Sequence, residues 1–127
     1  MDFEDKYEIA DLRRRLSNLL RIGTISPVNY KEAVARVKIG DLETTWLPWL
    51  LRDGDDKAWH GVDLNEQVLV LSPCGDLNQG LILPSVYKKP IFNDGNLLLW
   101  RLKDGSIISF NRSNGELNAQ ITGNAAI

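Results

Sequence analysis

Residues 96–121 read NLLLWRLKDGSIISFNRSNGELNAQI, and this stretch decides what kind of fold the chain needs. The dipeptides Asp104-Gly105 and Asn114-Gly115 separate three short runs rich in apolar and β-forming residues. Both dipeptides are typical of two-residue hairpin loops of type I′, which require positive φ at both central positions. The stretch therefore predicts a three-stranded antiparallel meander.

Two-residue loops would also set the register of this meander. They pair Leu102 with Ile107 and Leu99 with Phe110 in the first hairpin, and Phe110 with Ala119 in the second. Cross-strand partners share a face of a sheet. One predicted face carries Leu97, Leu99, Ile108, Phe110, Leu117, Ala119 and Ile121, and the other carries Leu98, Trp100, Leu102 and Ile107.

A thin sheet that is apolar on both sides needs a cover on each side. Burying one large apolar side chain is worth roughly 1.5–3 kcal/mol, and a small isolated meander is marginally stable in water. We expect other copies of the chain to cover one face; the alternative, in which the meander packs wholly on the preceding domain, stays open here. The side chains expected to pack in the shared shaft are Leu99, Trp100, Ile108, Phe110, Leu117 and Ile121.

Residues 21–88 predict a small closed barrel of five strands. Val34 to Ile39 alternate between polar and apolar side chains, and Gln67 to Ser72 form a strongly β-forming run. Glycine and proline separate these runs, and Pro48 requires an edge or a break in its strand because it cannot donate a backbone hydrogen bond. The residues expected in the barrel core or its signature are Trp46, Pro48, Trp49, Val68, Val70 and Leu81.

Residues 1–20 predict an N-terminal helix that ends before Gly23. Its apolar residues recur three and four positions apart, which places them on one narrow stripe. The stripe consists of Ile9, Leu12, Leu16 and Leu19. We expect it to pack on its own domain or on a neighbouring chain.

The composition is that of an ordinary folded protein: 127 residues, 43% hydrophobic, with 15 basic and 17 acidic residues for a net charge of −2. The single cysteine, Cys74, excludes an intrachain disulfide, and no apolar run is long enough for a membrane helix. The acidic start lacks the features of a signal peptide. These observations predict a soluble protein made in a reducing cytoplasm.

Catalytic and metal-binding patterns are weak. His60 is the only histidine, and the acidic residues Asp53, Asp55 and Asp56 lack the chelating glutamate of a calcium loop. No Gly-Lys-Ser/Thr sequence follows the glycines. We therefore predict no enzyme activity, no cofactor and no metal. A single-stranded nucleic-acid module of the barrel type is the alternative, although acidic residues surround the tryptophans and would repel phosphates.

Longer motifs carry a family resemblance. Residues 36–50 (RVKIGDLETTWLPWL), 66–73 (EQVLVLSP) and 75–80 (GDLNQG) resemble the signatures of the phage baseplate assembly protein V family. Residues 19–25 resemble its barrel opening, and Asp104-Gly105 the start of its spike segment. The similarity covers roughly residues 10–112, apart from glycines that the family pattern implies at Asn65 and Cys74.

The resemblance implies a mainly β fold: an N-terminal helix, an oligosaccharide/oligonucleotide-binding (OB) barrel, and residues 89–127 as the start of an intertwined trimeric β-helix. It implies a non-catalytic spike below the tail tube of a contractile phage or phage-tail-like bacteriocin. Such a protein is assembled in the bacterial cytoplasm, sits at the baseplate tip of the virion, contacts tail hub proteins and pierces the host outer membrane. A type VI secretion spike is the related alternative.

The family tip usually holds a metal ion on a His-x-His pair at the end of a longer C-terminal helix. This sequence contains no such pair. Three explanations stay open: a naturally short spike, a chain that continues beyond residue 127, or a tip formed by a separate polypeptide.

Overall fold

The computed structural model describes residues 2–87 and 94–124, which fall into two compact units, Met1–Lys88 and Lys89–Ile127. We call them the N-terminal and C-terminal units. The N-terminal unit begins with helix α1, Phe3–Ser17. The Asp2 side chain caps this helix by accepting a hydrogen bond from the backbone N–H of Asp5 at 2.9 Å.

Six strands follow α1 in the N-terminal unit. They are β1 (Leu20–Asn29), β2 (Val34–Ile39), β3 (Leu42–Glu43), β4 (Leu47–Pro48), β5 (Gln67–Leu71) and β6 (Leu81–Pro84). The order in the antiparallel sheet is β3-β2-β1-β5-β6, and β4 pairs with β2. Trp49, directly after β4, forms one parallel bridge with Ile82 of β6.

The core of this unit follows the alternation of its strands. Inward positions are almost fully buried, and outward positions are half-buried or exposed, as expected for a sheet with one covered face. The buried apolar residues are Ile25, Ala35, Val37, Ile39, Leu47, Val62, Val68, Val70, Leu77 and Ile82. Val28 and Trp49 are partly buried against them.

Strand β1 departs from the predicted organisation. The helix ends at Ser17 and not near Leu20, because residues from Leu20 onward pair with β5, beginning with Leu20 opposite Leu71. Gly23 therefore lies inside a strand and does not end the helix. A Cβ atom there would lie 2.5 Å from the Lys38 carbonyl oxygen, so glycine permits the close approach of β1 and β2.

Two turns keep a glycine-like backbone without glycine. Asn65 has φ of 68° and Cys74 has φ of 57°, at the two positions where the family pattern implies glycine. Asparagine tolerates this left-handed region well, whereas cysteine adopts it at a cost. Both positions therefore have the positive φ that a glycine would favour.

The C-terminal unit contains β7 (Leu97–Arg101), β8 (Ile107–Asn111) and β9 (Glu116–Gln120). They form an antiparallel meander in the order β7-β8-β9, which confirms the predicted three-stranded sheet. Within residues 94–124 no apolar side chain is buried; the buried residue there is Ser106. Over the described parts of both units, no helix is long and apolar enough to cross a membrane.

Candidate functional site

The first hairpin of the C-terminal unit differs from the predicted two-residue loop. Arg101 pairs with Ile107, and the Leu102 N–H donates to the Ser106 carbonyl at 2.8 Å, which leaves a three-residue loop. Gly105 has φ of 90°, whereas Asp104 does not have positive φ. This arrangement is typical of a type I turn followed by a left-handed residue, so the predicted type I′ turn is wrong.

The second hairpin is also longer than predicted. Asn111 pairs with Glu116 across a four-residue loop, in which the Gly115 N–H donates to the Asn111 carbonyl at 2.9 Å. Gly115 has φ of 70°, and Asn114 does not have positive φ. Its side chain instead accepts a hydrogen bond from the Glu116 N–H at 3.0 Å, as asparagine often does in turns.

These two differences have unequal consequences for the faces of the sheet. The first hairpin is shifted by one residue, so every side chain of β7 moves to the face opposite the predicted one. Leu98 lies opposite Phe110, and Trp100 lies opposite Ile108. The second hairpin is shifted by two residues, which leaves the faces of β9 unchanged, with Phe110 opposite Leu117.

The result is a sheet with one continuous apolar face. We define the apolar face by the six side chains that share this side of the meander: Leu98, Trp100, Ile108, Phe110, Leu117 and Ala119. It is exposed: Trp100 retains 69% and Leu117 73% of its accessible surface. Exposed apolar patches on folded proteins mark interaction sites.

The opposite face of the meander is mixed in character. It carries the half-buried apolar side chains Leu97, Leu99 and Ile107 on β7 and β8, with polar side chains beyond them. On β9 this side presents Glu116, Asn118 and Gln120, all exposed. The prediction of two apolar faces therefore holds only near the β7–β8 hairpin.

Of the predicted shaft residues, Trp100, Ile108, Phe110 and Leu117 share the apolar face. Leu99 lies on the opposite face, for the register reason given above. Ile121 lies just after β9 and is exposed. Sequence reasoning placed Leu98 on the wrong face; the signal that could have corrected it is Gly105, which suits the single left-handed position of a three-residue loop.

A polar cluster fixes the end of the meander at the first hairpin. Asp104 accepts hydrogen bonds from the Ser106 N–H at 2.9 Å and the Thr122 hydroxyl at 3.0 Å. The hydroxyl of the buried Ser106 in turn accepts from the Thr122 N–H at 3.2 Å. The hydrogen bonds from Ser106, and then from Thr122, hold the pKa of Asp104 below its ordinary value.

The residues predicted for the core or signature of the N-terminal unit are placed unevenly. Val68 and Val70 are fully buried in the core, and Trp49 packs partly against it. Leu81 is half-buried at the start of β6, whereas Pro48 and Trp46 are exposed, Trp46 at 47%.

Helix α1 has no buried residue. Its last turn meets the 3₁₀ turn Pro73–Gly75, where a Cβ on Gly75 would lie 2.2 Å from the Arg15 carbonyl oxygen. Asp11 accepts hydrogen bonds from Arg14 at 2.6 Å and Arg15 at 3.0 Å, which lowers the pKa of Asp11 and raises that of Arg14. The stripe residues Leu12 and Leu16 stay exposed on this helix.

The residues considered for catalysis or metal binding are exposed and form no metal-ligand cluster among the described residues. His60, Asp55 and Asp56 are exposed loop residues, and Cys74 is an exposed free cysteine in its turn. Asp53 pairs with Lys57 at 2.8 Å, which lowers the pKa of the carboxyl and raises that of the amine. Within residues 2–87 and 94–124, no three potential metal ligands cluster.

Comparison with known proteins identifies the N-terminal sheet. Residues 21–87 match the model of the type VI secretion system/phage-baseplate injector OB domain. The chain belongs to this family. The match confirms the family that the sequence motifs predicted.

A curated relative extends the similarity beyond the OB domain. The spike protein of Escherichia phage P2 is 33% identical over 107 residues, covering 80% of this chain. The same alignment covers 50% of the relative, so the chain spans half the length of that spike protein.

Proposed function

We propose that this chain forms the central spike of a contractile phage tail or of a related phage-tail-like bacteriocin. Three copies would join their C-terminal units into a rigid shaft that is driven through the host outer membrane. The observation that carries the proposal is the apolar face, which is exposed on a sheet that buries no apolar side chain within residues 94–124.

A closed assembly of identical chains supplies what this sheet lacks. Each large apolar side chain that becomes buried contributes roughly 1.5–3 kcal/mol, and the apolar face holds five of them. The sheet also ends in the outer strands β7 and β9, which pair within it on one side. Closure around a threefold axis satisfies the edges of such strands and prevents open-ended aggregation.

The N-terminal unit has the complementary role in this proposal. The OB unit, in which a single Trp49–Ile82 bridge links the end of β4 to β6, would dock on the hub proteins of the baseplate. The exposed stripe of α1 packs at that docking end or between protomers. The proposed function is mechanical and not enzymatic.

The phage hypothesis is favoured over the secretion-system hypothesis because the P2 spike protein, a phage protein, is similar over 80% of this chain. The alternative hypothesis, a module that binds single-stranded nucleic acid, has no comparable support. The exposed Trp59 lies in a loop region with Asp53, Asp55 and Asp56, whose carboxylates repel phosphates.

The test is the solution mass of the full chain, measured by sedimentation and light scattering. We expect a species three times the 14.3 kDa chain. Phe110→Asp places a charge in the centre of the apolar face and should reduce the mass to that of one chain, because an unpaired buried charge is very costly.

Asn118→Asp is the matched control. It adds the same charge to the same sheet, but on the exposed opposite face, and should leave the trimer intact. Far-UV and near-UV circular dichroism should show a folded N-terminal unit in both variants. A wild-type monomer at tens of micromolar, or equal masses for both variants, would contradict the shaft proposal.

A further inference from the structure

A concave surface lies within the N-terminal unit, and the proposed assembly makes no use of it. It is a cavity of about 360 Å³ that follows strand β4 and the loop after it. Its lining residues are Ala33, Trp49, Leu51, Arg52, Asp53, Lys57, Ala58 and Trp59. We propose that this cavity is a saccharide-binding site, with the indole of Trp59 as its stacking platform.

The aromatic wall of the cavity is fixed in place on one side and free on the other. The rings of Trp49 and Trp59 lie 5.7 Å apart at 55°, and Tyr30 contacts Trp49 edge-on at 6.4 Å. The Tyr30 hydroxyl donates to the Val62 carbonyl at 2.7 Å, which anchors this group of rings to the domain. Trp59 nevertheless keeps 65% of its surface exposed.

A polar rim stands beside these rings. The Ala58 N–H donates to the Arg52 carbonyl at 3.0 Å, and Asp53 forms a bridge and an ion pair with Lys57. The loop is therefore closed on itself and presents a guanidinium, a carboxylate and an ammonium group next to the tryptophans. A concave, largely apolar site with a few placed polar groups is the usual form of a small-molecule site.

This combination selects the class of ligand. A sugar ring has an apolar C–H face that stacks on an indole and a rim of hydroxyls that both donate and accept hydrogen bonds. The rim here offers donors from Arg52 and Lys57 and an acceptor from Asp53. Nucleic acids are disfavoured, because Asp53, Asp55 and Asp56 outnumber Arg52 and Lys57 in this loop.

The inference goes beyond the proposed function and does not depend on it, since the cavity belongs to one N-terminal unit. It gives the OB unit a contact with carbohydrate in addition to its place in the assembly. Trimer formation and saccharide binding can therefore succeed or fail separately.

The experiment is a titration of the full chain with two probes: chitotriose, and the core oligosaccharide released from lipopolysaccharide. Saturation-transfer NMR should show transfer to the ring C–H protons of at least one probe. The indole N–H resonances of Trp49 and Trp59 should shift on titration, while that of Trp46, which does not line the cavity, should not.

Two tryptophan variants provide the matched comparison. Trp59→Ala should weaken binding by about tenfold or more, as expected when a stacking platform is removed. Trp46→Ala removes another exposed indole outside the cavity and should leave binding unchanged. Thermal unfolding by circular dichroism checks that both variants fold.

Asp53→Asn offers a second route if Trp59→Ala fails to fold. It replaces the charged carboxylate of the rim by a neutral amide, whose single oxygen is a weaker acceptor, and should weaken binding while the tryptophans stay in place. The proposal is overturned if neither probe binds at millimolar concentration, or if Trp46→Ala weakens binding as much as Trp59→Ala. It is also overturned if a proline-rich peptide shifts the same indoles and displaces the sugar at lower concentration, because the cavity is then a peptide site.

Discussion

Ten apolar side chains are buried within residues 2–87 of the N-terminal unit, whereas residues 94–124 of the C-terminal unit bury none. Both units are antiparallel sheets of short strands, so strand geometry does not explain the difference. In the first, loops and β4 add Leu47, Val62 and Leu77 to the core. In the second, three strands expose the apolar face. A buried apolar core is thus present in the first unit and absent from residues 94–124 of the second, which is what the proposed assembly would supply.

The largest effect expected from this comparison comes from truncating one side chain in each unit. Ile82→Ala, in the N-terminal core, should lower the free energy of unfolding by about 2–5 kcal/mol, since Ile82 is fully buried. Leu117→Ala, on the apolar face, should cost less than about 0.5 kcal/mol in the dissociated chain. In the assembly, Leu117→Ala should instead raise the dissociation constant.

Urea unfolding of the N-terminal unit and sedimentation of the whole assembly separate these two outcomes. The assignment of stability to the N-terminal unit and of association to the C-terminal unit would be contradicted if Ile82→Ala changed the dissociation constant and left the free energy of unfolding unchanged. A large loss of stability by Leu117→Ala in the monomer would contradict it equally.

Glycine substitutions test how α1 packs on the N-terminal unit, and we expect their effect on the free energy of unfolding to be intermediate in size. Gly75 and Gly40 both have positive φ, 74° and 61°, but an added Cβ meets the Arg15 backbone at Gly75 and nothing at Gly40. Gly75→Ala should therefore destabilise the N-terminal unit by about 1–3 kcal/mol more than Gly40→Ala does. Thermal unfolding of the two variants measures the difference, and equal losses would show that backbone strain alone is responsible.

Cys74 gives a smaller effect of opposite sign. Its side chain is exposed and its φ is 57°, so Cys74→Gly should remove strain and few contacts. We expect the free energy of unfolding to rise by up to about 1 kcal/mol. The matched variant Cys74→Ala keeps the Cβ and should give no such gain in the same chemical denaturation experiment.

The smallest effect is the pH response of the Asp104 cluster. Because the folded-state pKa of Asp104 is lowered, its contribution is present above the ordinary aspartate pKa and is lost as the pH falls through the folded value. Asp104→Asn should abolish that acid response while leaving the neutral-pH spectrum nearly unchanged. Carboxyl NMR titration of Asp104 checks the direction, and a pKa above the ordinary value would contradict it.

Much of this organisation was predictable because local patterns and tertiary pairing agree. Residues 34–39 and 67–71 alternate cleanly and became strands β2 and β5, with Val68 and Val70 in the core. The meander was likewise predictable from Asp104-Gly105 and Asn114-Gly115, since each dipeptide lies in a hairpin loop.

The hairpin register, strand β1 and the cavity could not be predicted, because they depend on backbone conformation and pairing that no single residue determines. Gly105 predicts one residue of positive φ in the loop, but the sequence does not show whether Asp104 also has positive φ. Because it does not, the loop has three residues, and every side chain of β7 lies on the face opposite the predicted one. Strand β1 has no strict alternation, and its long pairing with β5 and β2 defines it. The cavity beside Trp49 and Trp59 is not predictable from the sequence, because it depends on the loop of residues 52–58 folding back on itself.

The contact between Gly75 and the last turn of α1 has a consequence for how this protein changes over time. A helix without a buried side chain adds little buried apolar surface to its own domain, and its packing on that domain is by backbone contact at its last turn. Phe3, Tyr7 and Leu12 are all exposed, so substitutions at these positions should cost the domain little buried surface. The exposed surface of α1 can therefore change during evolution while the core of the N-terminal unit stays the same.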